Sequence, residues 1–142
     1  MQADTTTSYP AVPIARVHSS LKECADAPKQ GWEGAPTSRV EVLARFKSGL
    51  DGIRAGQEIV ILTWLHAARR DVLAVHPRDD VSRPLTGVFA TRSADRPNPI
   101  GLHRVTVLEI ENERWLTVQG LEAIDGTPVI DIKPVLEQSK ES

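Results

Sequence analysis

Three side chains on one proline-stiffened stretch, Arg92, Arg96 and Asn98, are the groups of this chain best suited to holding a polar ligand. They lie within residues 87–101, Gly-Val-Phe-Ala-Thr-Arg-Ser-Ala-Asp-Arg-Pro-Asn-Pro-Ile-Gly. A guanidinium offers a planar fork of N–H donors that matches a carboxylate or phosphate, and an amide adds both a donor and an acceptor. Pro97 and Pro99 each fix their own φ and push the residue before them out of the helical region, so Arg96 and Asn98 are expected to be extended. A loop stiffened in this way loses little entropy when a ligand binds. The stretch is expected to begin as a strand over 87–91 and to leave through Gly101 by a conformation that other residues avoid. An ordinary surface turn with solvated arginines uses the same residue types, and spacing alone does not separate the two readings.

Other chemistries are bounded by what the chain lacks. There is no G-x-G-x-x-G and no P-loop, so a nucleotide-type ligand would have to be held by loops rather than by a helix N-terminus. Cys24 is the only cysteine, which rules out an intramolecular disulfide and a cysteine-based zinc site; no metal is expected, and a reducing compartment is the simplest setting. With 17 Lys+Arg against 19 Asp+Glu the surface as a whole is not a nucleic-acid magnet, so RNA contact would need a local patch. One run qualifies: Arg69, Arg70, Arg78, Arg83, Arg92, Arg96 and Arg104 against Asp71, Asp79, Asp80 and Asp95. Such a run also describes an ordinary solvated face.

The string GVFATRSADRPNPIGL, followed by LEAIDGTPVIDIKP at residues 121–134, resembles the two signature stretches of the TsaA-like family, whose characterised bacterial members are tRNA methyltransferases O. The resemblance covers residues 14–134. It implies a small β-barrel that binds S-adenosylmethionine, pairs as a homodimer and methylates N6 of the threonylcarbamoyl-adenosine beside the tRNA anticodon. Carried over residue by residue, it implies cofactor contacts from Pro28, Lys29 and Gln30, from His66 and Ala67, from Arg92 and Leu102, and from Asp125, Gly126, Thr127 and Pro128. Arg92 would hold the cofactor's carboxylate. Arg96, Asn98, Asp131 and Lys133 are candidates for the acceptor side or for catalysis, with Asp131 a possible proton acceptor. An ion pair between neighbouring strands is the competing reading for Asp131 and Lys133. Lysine replaces the family's arginine at position 29, alanine its glutamine at 67, and valine a frequent tyrosine at 135.

The elements that must position these residues read as strands. A chain of 142 residues fits one domain, expected as a disordered lead over 1–12, a barrel over 13–136 and a charged tail over 137–142. Strands are expected over 14–18, 39–43, 58–65, 71–75, 102–111 and 114–121, with Asp125-Gly126 turning between 121–124 and 129–132. The continuous apolar run 58–65 implies burial on both faces. Residues 44–53 space Phe46, Leu50 and Ile53 for one short helix, and 19–38 form a long loop. The resulting class is mainly β, a single small barrel of about six or seven strands with one short helix. No leader or membrane-length apolar run is present, so a cytoplasmic protein is expected.

Three functions remain open at this level: the tRNA methyltransferase, a methyltransferase with a small-molecule acceptor, and a barrel that binds cofactor or RNA without catalysis. Longer family members carry an additional C-terminal segment beyond the point where this chain ends, at Ser142. Salt-sensitive binding would mark phosphate contact and so an RNA partner.

Overall fold

Aliphatic residues at every second position turn one side of six short strands inward, and the strands close on themselves. The computed structural model describes residues 7–20 and 37–136. Its strands are β1 (Ala15–His18), β2 (Ser38–Val42), β3 (Glu58–Trp64), β4 (Ala74–Val75), β5 (Thr86–Gly87), β6 (Ile100–Glu111), β7 (Trp115–Gln119) and β8 (Pro128–Pro134). Six of them form a closed antiparallel barrel in the order β1-β2-β7-β6-β3-β8, while β4 and β5 make a separate two-stranded hairpin. The expected mainly β barrel is therefore what the chain builds. Val17, Val40, Ile59, Ile61, Val107, Leu116, Val118 and Val129 fill its interior without solvent contact. Each such side chain contributes roughly 1.5–3 kcal/mol by burial, so the fold rests mainly on this column.

Several local expectations are corrected. The helix is a 3₁₀ segment, Ala44–Leu50, that lays Leu50 and Phe46 across one end of the barrel, with Ile53 beside them. Gly49 weakens an α-helix here. The run 58–65 is buried on its inner side only: Ile59, Ile61 and Thr63 are enclosed, whereas Val60, Leu62 and Trp64 are half-covered. The strand expected over 71–75 shrinks to Ala74–Val75, and the one over 87–91 stops at Gly87, where Val88–Ala90 turns into a 3₁₀ turn with Phe89 exposed. Residues 121–124 join no ladder; Leu121 and Ala123 pack into the core instead. The β6–β7 hairpin turns through Asn112 and Glu113 at φ 52° and 61°, the two-residue geometry that matches strand twist.

Gly101 also has a role different from the expected one. It is not in the left-handed region but sits in β6 opposite Thr63. Thr63 Oγ1 and His103 Nε2 are hydrogen-bonded at 2.8 Å across the space that a side chain at 101 would occupy. A Cβ there would press on Thr63 Oγ1 and lie 2.7 Å from His103 Nε2. Burial pushes His103 down to about 4, so the ring is neutral at neutral pH.

The strand directions sort the connections between the two barrel ends. The links after β1, after β3 and after β7 all leave from one end, where His18, Ser38, Trp64, Ile100, Gln119 and Pro128 come together. The 3₁₀ segment and the β6–β7 turn close the other end. No helix among the described residues is long and apolar enough to cross a membrane.

Two outcomes follow from the Gly101 cradle. Gly101→Ala is expected to lower unfolding free energy by about 1–3 kcal/mol through overpacking, measured by urea denaturation; an unchanged midpoint would contradict the cradle. Because the folded pKa of His103 lies below the unfolded one, the unfolded chain binds an extra proton between pH 6.5 and about 4, and stability falls as pH drops through that window. From pH 7 to pH 5 the loss from this group is about 2 kcal/mol, and His103→Gln is expected to remove it.

Candidate functional site

Above the last pair of the β3–β6 ladder, Trp64 with Ile100, the two chains stay zipped outside the barrel. Leu65 N–H donates to Pro99 O (2.8 Å) and Arg96 N–H to Arg69 O (3.0 Å), while Arg69 N–H donates to Asp95 Oδ1 (2.8 Å). Arg70 completes the join: Nε donates to Pro97 O (2.7 Å), Nη2 to Asn98 Oδ1 (3.0 Å), and its guanidinium lies 5.0 Å from the Trp64 ring centroid. Pro97-Asn98-Pro99 is thus bolted to the wall of β3. The sequence marked Arg70 only as a member of the arginine run that could contact RNA, and Trp64 only as a strand residue. Arginine in a charged run and tryptophan at a strand end were visible, but their meeting with an asparagine 28 positions away was not.

The two motif arginines have opposite fates. Arg96 turns inward and donates to three backbone carbonyls, Thr91 O (3.1 Å), Ser93 O (2.9 Å) and Val88 O (2.6 Å), so it ties the loop. Arg92 is exposed and, among the described residues, makes no hydrogen bond or ion pair. The wider arginine run is similarly consumed. Arg69 forks onto Asp71 with two 3.0 Å bonds, Arg104 onto Glu58 at 3.1 and 3.0 Å, and Arg83 lies 3.7 Å from Asp80. Both Asp71 and Glu58 are held below the usual carboxylate range, chiefly by those arginine hydrogen bonds. Arg78 and Arg92 alone of the seven are left without such partners among the described residues.

The Asp125-Gly126 corner is a turn, as its residues demand, but it docks on β1 rather than joining two strands. Gly126 takes φ 85°, and Thr127 N–H and Oγ1–H both donate to Ile124 O (3.2 and 2.6 Å). Gly126 N–H donates to Val17 O (2.8 Å), Val17 N–H to Thr127 O (3.0 Å) and Ser19 N–H to Asp125 Oδ1 (2.9 Å). The corner therefore holds the exit of β1, from which the 19–38 loop departs. Pro28, Lys29 and Gln30 on that loop lie outside the described residues.

Since β3 lies between β6 and β8 in the barrel, its exit at His66 and Ala67 comes between the Pro97–Asn98–Pro99 loop and the turn at 125–128. His66 is exposed there. Thus His66, Ala67, Asn98 and the stretch from Asp125 to Pro128 share one end of the barrel. Leu102, Asp131 and Lys133 do not. Leu102 and Asp131 flank Leu62 from either side on the outer wall, and Lys133 stands beside Val60 in the next row away from the loops. Asp131 Oδ2 lies 3.4 Å from Lys133 Nζ along the same strand, and its Oδ1 accepts from Ile132 N–H (2.9 Å). Asp131 also edges a cavity of about 220 Å³ beneath the 3₁₀ segment, lined by Ile14, Phe46 and Leu50 among others.

Comparison with known proteins gives this geometry its context. A family model described as the tRNA-methyltransferase O N-terminal domain matches residues 16–140. A probable S-adenosyl-L-methionine-binding protein of Methanothermobacter thermautotrophicus is 43% identical over 125 residues, 88% of either chain. An S-adenosyl-L-methionine-binding protein of Archaeoglobus fulgidus is 44% identical over 121 residues, 85% of either chain. The crystal structure of TrmO from Pseudomonas aeruginosa superposes with a TM-score of 0.75 at 28% identity, over 96% of this chain and 60% of that one. The chain therefore spans about 60% of that solved protein. S-adenosylmethionine, the cofactor that the motifs imply, is the ligand for which the archaeal relatives are named. With the barrel, the motif loop and a match over most of its length in agreement, this chain belongs to the tRNA-methyltransferase O N-terminal domain family.

Proposed function

We propose that this chain is an S-adenosylmethionine-dependent methyltransferase that acts in the cytoplasm on N6 of threonylcarbamoyl-adenosine beside the anticodon of tRNA. The observation that carries the reading is Arg92: within a family motif whose other arginine is spent on its own backbone, it is the motif arginine left with its donors available among the described residues. A free guanidinium suits the carboxylate of the cofactor's amino-acid end. Asp71 and Glu58 neutralise Arg69 and Arg104, which balances part of the surrounding positive charge that would oppose a sulfonium. His66, Ala67 and the corner from Asp125 to Pro128 share the barrel end from which the Arg92 loop departs, which supports the fit, while Leu102 lies on the outer wall below it.

S-adenosylmethionine supplies a methyl group already activated by its positive sulfur, which leaves alignment and exclusion of water to the protein. Arg92 binds the carboxylate. The backbone of Pro28, Lys29 and Gln30, His66 with Ala67, Leu102, and the corner Asp125, Gly126, Thr127 and Pro128 enclose the adenosyl part. Asn98 works on the acceptor side, and Arg96 acts there through the loop that it ties. Asp131, paired with Lys133, is our candidate to accept the N6 proton from the outer wall of the barrel. That wall also carries Ile100 (43% exposed) and Leu102 (52% exposed) beside Val60, Leu62 and Trp64, an apolar face that supports a homodimer.

One observation favours a second reading. With Arg69, Arg83 and Arg104 neutralised by carboxylates, less charge remains for phosphates than the run suggests, which suits a small-molecule acceptor on the same cofactor. Its mark would be activity that salt leaves nearly unchanged.

Incubation with methyl-labelled S-adenosylmethionine and total tRNA, followed by nucleoside analysis, is expected to place the label on threonylcarbamoyl-adenosine; label on no nucleoside would reject the tRNA reading. Arg92→Ala is expected to weaken cofactor binding by roughly tenfold or more in calorimetry, in line with the loss of a charge-assisted pair, while the melting temperature stays put. Undiminished affinity would remove Arg92 from the site.

A further inference from the structure

Asn98 is a side chain whose orientation is decided by chemistry rather than by convention. Arg70 Nη2 lies 3.0 Å from the Asn98 side-chain amide. A guanidinium has donors and no acceptor, so the amide atom facing it must be the oxygen. The two N–H groups of Asn98 then point away from Arg70, and among the described residues nothing accepts from them. Asn98 is exposed, so these donors face solvent on the rim.

The clamp that achieves this is rigid along its whole length. The same guanidinium takes Pro97 O at 2.7 Å, so one planar fork fixes a backbone carbonyl and the adjacent side chain together. Pro97 and Pro99 restrain the backbone on both sides, and Ile100 N–H closes a tight turn onto Asn98 O at 2.7 Å. Arg70 is itself seated over Trp64, the last residue of β3, which pairs with Ile100 in the ladder. The order therefore runs from barrel wall to indole, to guanidinium, to amide.

Resting on the function proposed above, we infer that Arg70, seated on Trp64, is a positioning residue that turns the two N–H groups of Asn98 outward to read a carbonyl or carboxylate oxygen on the base receiving the methyl group. With its oxygen turned to Arg70 and both N–H groups outward, the amide favours a ligand rich in acceptor oxygens over one that offers only an amine. The threonylcarbamoyl group carries a urea carbonyl and a carboxylate, whereas an unmodified adenosine offers an N6 amine at that place. The clamp thus contributes to choosing the modified nucleoside. Asn98's solvent-facing position suits an incoming polynucleotide, while Arg92 provides for the cofactor.

Asn98→Asp separates this role from support of the fold, because the carboxylate keeps an oxygen for Arg70 and exchanges the outward donors for an acceptor. Arg70→Met removes both clamp bonds, and Arg70→Lys restores one donor without the fork. The four full-length proteins would be compared for cofactor affinity by calorimetry, for melting temperature, and for kcat and KM on tRNA with and without threonylcarbamoyl-adenosine. Expected results are a fall of roughly tenfold or more in kcat/KM on modified tRNA for Asn98→Asp and Arg70→Met, chiefly through KM, partial recovery in Arg70→Lys, and cofactor affinity within about twofold of wild type. Unchanged kcat/KM in Asn98→Asp would overturn the inference alone, provided that the wild type transfers methyl to tRNA. So would a cofactor affinity that falls in step with it, or a wild type equally active on unmodified tRNA. A wild type that binds the cofactor yet methylates no tRNA overturns the proposed function and this inference with it.

Discussion

Everything at the functional end depends on the antiparallel pairing of β3 with β6, because those two strands bracket the longest described connection in the chain. Seven register pairs, from Glu58 with Thr106 to Trp64 with Ile100, hold its two ends side by side. Joining the ends of a long loop costs entropy that grows only slowly with length, so a firm ladder at the base can carry a large excursion. The pairing continues past the barrel through Leu65 with Pro99 and Arg96 with Arg69. The motif loop is therefore an extension of the wall, which is how a helix-free surface holds a fixed shape.

The same ladder couples the site to the interior. Directly beneath the Trp64–Ile100 pair, Gly101 makes room for the part-buried Thr63–His103 hydrogen bond. A neutral ring and a hydroxyl satisfy each other there, which avoids the cost of burying either alone. Above that pair, Arg70 uses the outward face of Trp64 as a seat. One strand end thus serves packing on its inner side and loop orientation on its outer side.

Charge is distributed in a way that its count does not reveal. Arginines crowd the 66–104 stretch, yet most are fastened to Asp71, Asp80, Glu58 or backbone carbonyls. These pairs are largely exposed, and exposed ion pairs contribute little to stability. Their consequence at the site is selection, since satisfying most of the cations internally leaves Arg92 as the motif cation with its donors available.

Much of the fold was legible from residue types because short-range physics decides it. Alternating Val and Ile define inward faces, Asp125-Gly126 has to turn, Asn112 has to begin a tight hairpin, and Pro97 and Pro99 forbid a helix around Asn98. The length and apolarity of 58–65 also announced a strand, although its outer face is only half-covered. What these patterns do not encode is which partner a long polar side chain finds. Arg92 and Arg96 look alike in sequence, four positions apart, and only the three-dimensional path of Val88–Ala90 turns one into a knot of carbonyl bonds and leaves the other open. Likewise the strand order decided that Asp131 and Lys133 stand on the outer wall, away from the loops with which their motif groups them. By itself the sequence determined the long barrel strands and the turns, since backbone preference and hydrophobic alternation act between neighbours, but not the fate of 71–75, 87–91 and 121–124. Barrel closure decided which motif residues meet, because hydrogen bonds such as that from Arg70 to Asn98 depend on positions that only distant strand pairing brings within reach.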